Sequence, residues 1–313
     1  MTDLAKTNAA GVPLRALGKT GLDVSIIGLG GGHLSRKHLT EADSIRLVQL
    51  AVDEGITFMD NAWDYWDGES ERRMGKALQG RRDDVVLMTK VCGRDRETAE
   101  QHLHDSLERL QTDVIDVWQF HEINYDNDPE WVFRAEGAIE AAVAAQKAGK
   151  VRFVGFTGHK SPHILKAMLD MDFPWDTCQI PTNVVDYHFR SFTREVLPLA
   201  VEREMGIIGM KSLGGDAQII KGAGLTAGEC RVYALSLPIS TLVCGIESEE
   251  NIRQDAAIAR EFVQASAEQL DDLRERVREH ATDGRYEWFK TTQYYDSKVH
   301  RVQHGFPEEL PGR

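Results

Sequence analysis

Short apolar, β-branched runs recur along this chain, and a segment with helical spacing follows each one. The runs fall at 24–29, 56–59, 84–89, 114–120, 152–156, 177–180, 206–210 and 241–244. The helical segments fall at 40–54, 69–78, 96–110, 129–149, 162–171, 193–203, 227–237 and 248–262. Successive units lie roughly thirty residues apart, the length of a βα repeat. The runs are apolar at consecutive rather than alternating positions, which suits strands covered on both faces of a parallel sheet. Eight such units close as a (β/α)8 TIM barrel. An open doubly wound sheet is the alternative, but its dinucleotide fingerprint fails. Gly28, Gly30, Gly31 and Gly32 lie in GLGGGHL, and the third glycine of G-x-G-x-x-G would fall on His33.

The barrel reading divides the chain in three. Residues 1–12 are expected to be flexible, residues 13–265 to form the barrel, and residues 266–313 to form a C-terminal helix and aromatic tail in the same domain. A short N-terminal hairpin is expected around Gly18-Lys19-Thr20-Gly21. The tail carries Tyr286, Trp288, Phe289, Tyr294 and Tyr295, and the sequence leaves its placement open.

With 42% apolar residues, the chain has ample material for one large core. Its net charge of −13 argues against nucleic acid or an anionic membrane as partner. No apolar run reaches membrane-spanning length, and the N-terminus lacks the pattern of a secretory signal. Cys92, Cys178, Cys230 and Cys244 form no C-x-x-C pair. Reduced thiols in a cytoplasmic protein are expected. No metal site is expected either: His121-Glu122 is not H-E-x-x-H, and His102 and His104 do not share a helix face.

The chemistry-bearing residues share one end of the predicted barrel. Asp60, Lys90 and His121 close the second, third and fourth runs, and Tyr65 lies in the loop after the second. In a parallel barrel those ends open on one face, where catalytic groups gather. The set suits carbonyl reduction. Hydride adds to carbon while the oxygen takes a proton, and a cofactor must supply the hydride. A phenol is a weak acid with a pKa of about 10. A neighbouring Lys90 ammonium is expected to lower it, with Asp60 holding Lys90 in place. His121 is expected to hydrogen-bond the substrate oxygen or the phenol. Gly30 and Gly31 allow close approach of a cofactor. His33, Trp63 and Trp66 are expected to line a substrate pocket.

DNAWDY, then ESERRMGKAL, LMTKV and VWQFHEI, together resemble the aldo-keto reductase family. The resemblance runs from about Leu14 to Ile258 and implies the catalytic set Asp60, Tyr65, Lys90 and His121. It also implies NAD(P)H as cofactor. Thr157 and Gly158 fall where the family holds the nicotinamide carboxamide, with His159 as a substitute for the missing side chain. Gln179 falls at a further carboxamide contact. Met210 takes the place of an aromatic that stacks on the nicotinamide. Lys211, Ser212, Leu213 and Gly214 would run beside the pyrophosphate. At the adenosine end, Gly245 and Asn251 replace the basic residues of NADPH-selective members, and Glu247, Glu249 and Glu250 lie nearby. Arg253 is the one cation of that segment, and Gln254 and Asp255 would face the adenine. This end implies NADH at least as readily as NADPH. The reading is thus an NAD(P)H-dependent oxidoreductase for a small carbonyl substrate, with oligomeric state open. Two alternatives stand beside it: a cofactor-sensing regulatory protein with slow turnover, and a barrel lyase or isomerase acting on a sugar-like substrate.

Overall fold

The computed structural model describes residues 6–310, so residues 1–5 of the expected flexible N-terminus and 311–313 of the tail lie outside the described residues. A two-stranded antiparallel hairpin, β1 (Leu14–Ala16) and β2 (Asp23–Ser25), precedes the barrel. The barrel strands are β3 (Ile27–Gly30), β4 (Phe58–Asp60), β5 (Val86–Val91), β6 (Ile115–Phe120), β7 (Val151–Thr157), β8 (Thr177–Pro181), β9 (Gly206–Met210) and β10 (Thr241–Gly245). They pair in parallel in chain order, and β10 closes on β3. This is the (β/α)8 barrel with N-terminal hairpin that the sequence implies.

Apolar side chains pack against both sides of the strands. Phe58, Met88, Val117, Ile208 and Val243 form one buried cluster with Leu17 and Val24 of the hairpin segment. Side-chain alternation puts Phe58 and Asp60, Met88 and Lys90, and Val117 and His121 on the same strand face. The hairpin therefore plugs one end of the barrel interior. The polar residues two or four positions on come to the other end.

The structure departs from the sequence expectations at several joints. The run 24–29 is two strands, because the Ser25 hydroxyl donates to the Ile27 carbonyl (2.7 Å) and accepts from the Thr57 N–H (2.9 Å). That bond pattern turns the chain from hairpin to barrel. Segment 129–149 is two helices, Asp128–Phe133 and Ala138–Lys147. Gly137 sits at the break, where an added Cβ would stand 2.4 Å from the Val132 carbonyl oxygen. Segment 193–203 also splits, into Phe192–Glu195 and Leu197–Glu202, with Pro198 opening the second. Residues 6–12 are held rather than loose. Asn8 donates to the Gly55 carbonyl (2.8 Å), Arg260 donates to the Ala10 carbonyl (2.8 Å), and Val12 is fully buried.

The tail is anchored by buried charge. Lys290 donates to Asp186 (2.7 Å), Glu287 (2.8 Å) and the Phe189 carbonyl (2.8 Å). Further on, the His304 ring stacks between Tyr125 (4.0 Å) and Trp131 (4.8 Å) and its Nε2 meets Asp128 at 3.1 Å. Between these anchors, Tyr294, Tyr295, Asp296 and Ser297 are carried over the open end of the barrel.

Candidate active site

A cavity of about 930 Å³ opens at the C-terminal ends of the strands. Asp60, Tyr65 and His121 line it, and Lys90 lies directly beneath, 1% exposed. Lys90 donates to Asp60 and to the Asn61 carbonyl (2.7 Å), and its ammonium lies 5.1 Å from the Tyr65 ring centre. Gln179 closes the other side of Asp60 at 3.1 Å. The rings of Tyr65 and His121 meet edge to face at 5.6 Å.

His121 has a partner that the sequence reading missed. Its Nδ1 lies 2.8 Å from Asp64 Oδ1, and both side chains are almost fully buried. Burial lowers the imidazole's pKa, with Asp64 opposing the fall, so the ring is neutral. Burial pushes the Asp64 carboxyl upward, but its contact with His121, joined by the Cys92 hydrogen bond, carries it well below the usual range. An ionised carboxylate only accepts, so the imidazole proton sits on Nδ1 and Nε2 is left as an acceptor. The one available signal was Asp64's place directly before Tyr65.

Tyr65 does not follow the expected electrostatics. Burial raises its pKa well above the ordinary phenol value, and Asp60, Asp64 and Glu122 add to the rise. Lys90 does not reverse this, because its charge is engaged by Asp60 at hydrogen-bond contact. The phenol is therefore held in its protonated form.

Cys92, His121 and His300 bring ligand atoms within 4.8 Å of one another. The set is better read as hydrogen-bonded support for His121 than as a metal centre. The Arg94 guanidinium, which can only donate, sits 3.4 Å from His300 Nδ1. That contact keeps the His300 proton on Nε2 and fixes a positive charge beside any cation. Burial raises the Cys92 thiol's pKa well above its ordinary value, so it is no ready thiolate.

The expected cofactor residues largely converge. Gly30, Thr157, Gln179, Met210, Lys211, Ser212, Leu213, Gly245, Glu247, Asn251, Gln254 and Asp255 all line the cavity. Gln179 Oε1 is buried without a hydrogen-bond partner, the kind of acceptor that a carboxamide N–H₂ would satisfy. Gly31, Gly158 and Gly214 do not line it. At Gly31 an added Cβ would stand 2.7 Å from the Asp60 carbonyl, and at Gly158 2.4 Å from that of Ile123. Both glycines serve close backbone packing. Gly214 has φ +73 against the Tyr286 carbonyl, and its neighbour Gly215 reaches the cavity instead. His159 lines the cavity, but its Nε2 is engaged by Asn124 (3.1 Å) and Asp296 (3.3 Å).

The aromatic expectations divide. Trp66 lines the cavity. Trp63 turns away: it stacks on His102 at 3.5 Å and donates to Asp105 at 2.9 Å. His33 belongs to the cofactor side, with its ring against Gly245 and Nδ1 2.9 Å from Glu247. The acidic end is also less bare of cations than Arg253 alone suggests. Arg36 meets Glu247 at 2.6 Å, and Arg231 meets Asp255 at 3.1 Å and Ser212 at 2.5 Å. Glu122 and the tail residues 294–297 were also missed, since nothing local in the sequence shows that the tail returns to the mouth.

A closed parallel barrel with a phenol, an ammonium–carboxylate pair and a carboxylate-supported imidazole at its mouth defines a class of oxidoreductase scaffold. The sequence profile of the aldo/keto reductase family matches residues 26–223, and the chain belongs to that family. It is 37% identical over 159 residues to L-galactose dehydrogenase of Arabidopsis thaliana, covering 47% of this chain and 49% of that protein. It is 30% identical over 207 residues to the aldo-keto reductase YhdN of Bacillus subtilis, covering 61% and 59%. The matched region thus spans about half to three-fifths of these curated relatives. Among solved structures, the holo form of aldo-keto reductase AKR11C1 from Bacillus halodurans superposes with a TM-score of 0.73 at 23% identity, covering 85% of this chain and 96% of that one. This last likeness establishes the fold.

Proposed function

We propose that the chain interconverts a small aldehyde or ketone and its alcohol with a nicotinamide cofactor. The observation that carries this reading is the buried, protonated Tyr65 between Lys90 and His121 at the cavity floor. Bound nicotinamide would supply or accept the hydride. Tyr65 gives its proton to the carbonyl oxygen as the alkoxide develops. Lys90, held by Asp60 and the Asn61 carbonyl, stabilises the phenolate left behind. His121 presents Nε2 as an acceptor for a substrate hydroxyl, since the one Tyr65 proton is directed to the carbonyl oxygen. General acid catalysis of this kind contributes on the order of 10²–10⁴-fold.

The cavity residues fit the cofactor. Gln179 offers the carboxamide an unpaired acceptor, Met210 a face for the ring, and Ser212 and Leu213 a path for the phosphates. NADH is proposed to serve at least as well as NADPH. Arg36, Arg231 and Arg253 are each paired with a carboxylate, which leaves none of the three free for a 2′-phosphate. The four free, buried cysteines support a reduced, cytoplasmic setting. Among the described residues no helix is long and apolar enough to cross a membrane.

Two relatives are named for sugar chemistry, the L-galactose dehydrogenase and a 6-dehydroglucose reductase of Novosphingobium aromaticivorans. The test panel therefore includes aldoses beside simple aldehydes and ketones. Initial rates are measured with NADH and NADPH in parallel. Turnover with NADH at least equal to that with NADPH is expected. Tight cofactor binding with no turnover of any carbonyl would point to the sensing role instead. Turnover of a sugar without nicotinamide would point to a lyase or isomerase.

A further inference from the structure

Lys211 follows Met210 at the mouth of the barrel and has a left-handed backbone, φ +55, outside the conformations an L residue prefers. Such backbones persist where a side chain is held for a purpose. The Lys211 side chain lines the cavity. Its ammonium lies 5.4 Å from the Phe289 ring centre and 5.3 Å from that of Tyr295, both supplied by the tail. Among the described residues, no carboxylate stands at ion-pair distance from Lys211 Nζ and no acceptor takes a hydrogen bond from it.

The surrounding acids are already engaged. Asp60 is taken by Lys90 and Gln179. Asp296 is taken by Lys160 (2.9 Å), His159 (3.3 Å) and Tyr125 (2.9 Å). Glu122 accepts from the Ser297 N–H (2.9 Å), and burial, reinforced by Asp296 and Asp64, raises its pKa well above the usual carboxyl range. Desolvation lowers the Lys211 pKa, while Glu122 and Asp296 work against that fall. Two aromatic faces stabilise a cation but accept no conventional hydrogen bond. A desolvated ammonium without an acceptor is costly unless an anion completes it.

We infer that Lys211 is an oxyanion-docking point of the active site, and that it takes a carboxylate of the carbonyl substrate. The reaction class narrows accordingly to keto acids and aldehydo acids or the matching hydroxy acids. The inference rests on the proposed reductase reading for its kinetic arm only. The other oxyanion that could meet Lys211 is the cofactor's pyrophosphate. The substrate is favoured because the Lys211 ammonium is turned toward Phe289 and Tyr295, where the tail crosses the cavity mouth.

The test has two arms. Matched pairs are compared for kcat/KM in wild type and Lys211→Met: glyoxylate against acetaldehyde, and succinic semialdehyde against butyraldehyde. Wild type is expected to prefer the acid of each pair. Lys211→Met is expected to lose about tenfold to a hundredfold on the acids, the effect of one charge-assisted hydrogen bond. The neutral partners should lose markedly less, so that the acid preference collapses, and any change in NADH affinity should fall on acids and neutrals alike. Weaker NADH binding with equal loss on acids and neutrals would assign Lys211 to the pyrophosphate and overturn the inference.

The second arm needs no turnover. Oxalate is titrated against tryptophan fluorescence in the presence of NADH, with Trp66 in the cavity wall as reporter. Binding that weakens about tenfold or more in Lys211→Met supports the docking point even if no carbonyl is reduced. Reduction of neutral aldehydes, with no acid preference and no oxalate binding, would leave the reductase standing and sink the docking point.

Discussion

Asp64→Asn isolates what a buried carboxylate contributes to His121. Asp64 Oδ1 lies 2.8 Å from His121 Nδ1, and both side chains are 6% exposed. The substitution keeps the volume and one accepting oxygen but removes the charge. A hydrogen bond to a charged group is worth about 1.5–3 kcal/mol, which sets the ceiling of the effect. Because Asn still accepts, the expected loss in kcat/KM is about tenfold, or about 1.4 kcal/mol. A second readout separates this from a general disturbance. Asp64 raises the Tyr65 pKa, so its removal lets the phenol ionise at lower pH. The alkaline limb of kcat/KM for reduction, which needs the protonated phenol, should therefore move to lower pH. The assay is NADH oxidation with a small aldehyde across pH, with circular dichroism to confirm the fold. A variant within twofold of wild type and with an unmoved pH profile would refute the argument that Asp64 sets the state of His121 and Tyr65.

Two further predictions concern stability. Lys90→Met leaves Asp60 buried without its cation, and breaking a buried pair from one side costs about 3–5 kcal/mol; urea unfolding should show it, alongside lost turnover. Burial raises the folded pKa of Glu122 well above the ordinary 4.5, so the folded state keeps a proton that the unfolded state gives up. Stability attributable to this group is then highest below pH about 4.5 and falls as pH rises toward the folded value. Glu122→Gln, which can still accept from Ser297, should raise the melting temperature at pH 7 and leave it nearly unchanged at pH 4; equal shifts at both would contradict the assigned ionisation.

What was legible in the sequence follows from range. Barrel strands and their order are local patterns, since each run is apolar throughout and carries its own helix behind it. Asp60, Lys90 and His121 were readable because they terminate such runs, and Tyr65 because it stands in the loop after one. Asp64 was missed because a carboxylate beside a tyrosine is unremarkable until the fold puts His121 2.8 Å away. Trp63 was misplaced for the same reason. A loop aromatic can face inward or outward, and the pull of His102, Asp105 and Arg109 on the neighbouring helix decides it. The helix break at Gly137 depends on backbone contacts that propensity does not encode, whereas Pro198 is a local signal for the break after Glu195. The tail was the largest omission. Its anchors, Lys290 to Asp186 and Asp296 to His159, join residues 104 and 137 positions apart. No window of sequence shows that Tyr295 and Ser297 complete a cavity whose floor was set by Asp60.

Tyr65→Phe tests the central claim most directly. Removal of one hydroxyl takes away the proposed proton donor and leaves the ring packed beside Gly32, Lys90 and His121. Single-turnover reduction of a small aldehyde by bound NADH should slow by about 10²-fold or more, while the NADH dissociation constant stays at the wild-type value. Turnover at the wild-type rate in Tyr65→Phe would contradict the account, because the proton would then come from another group.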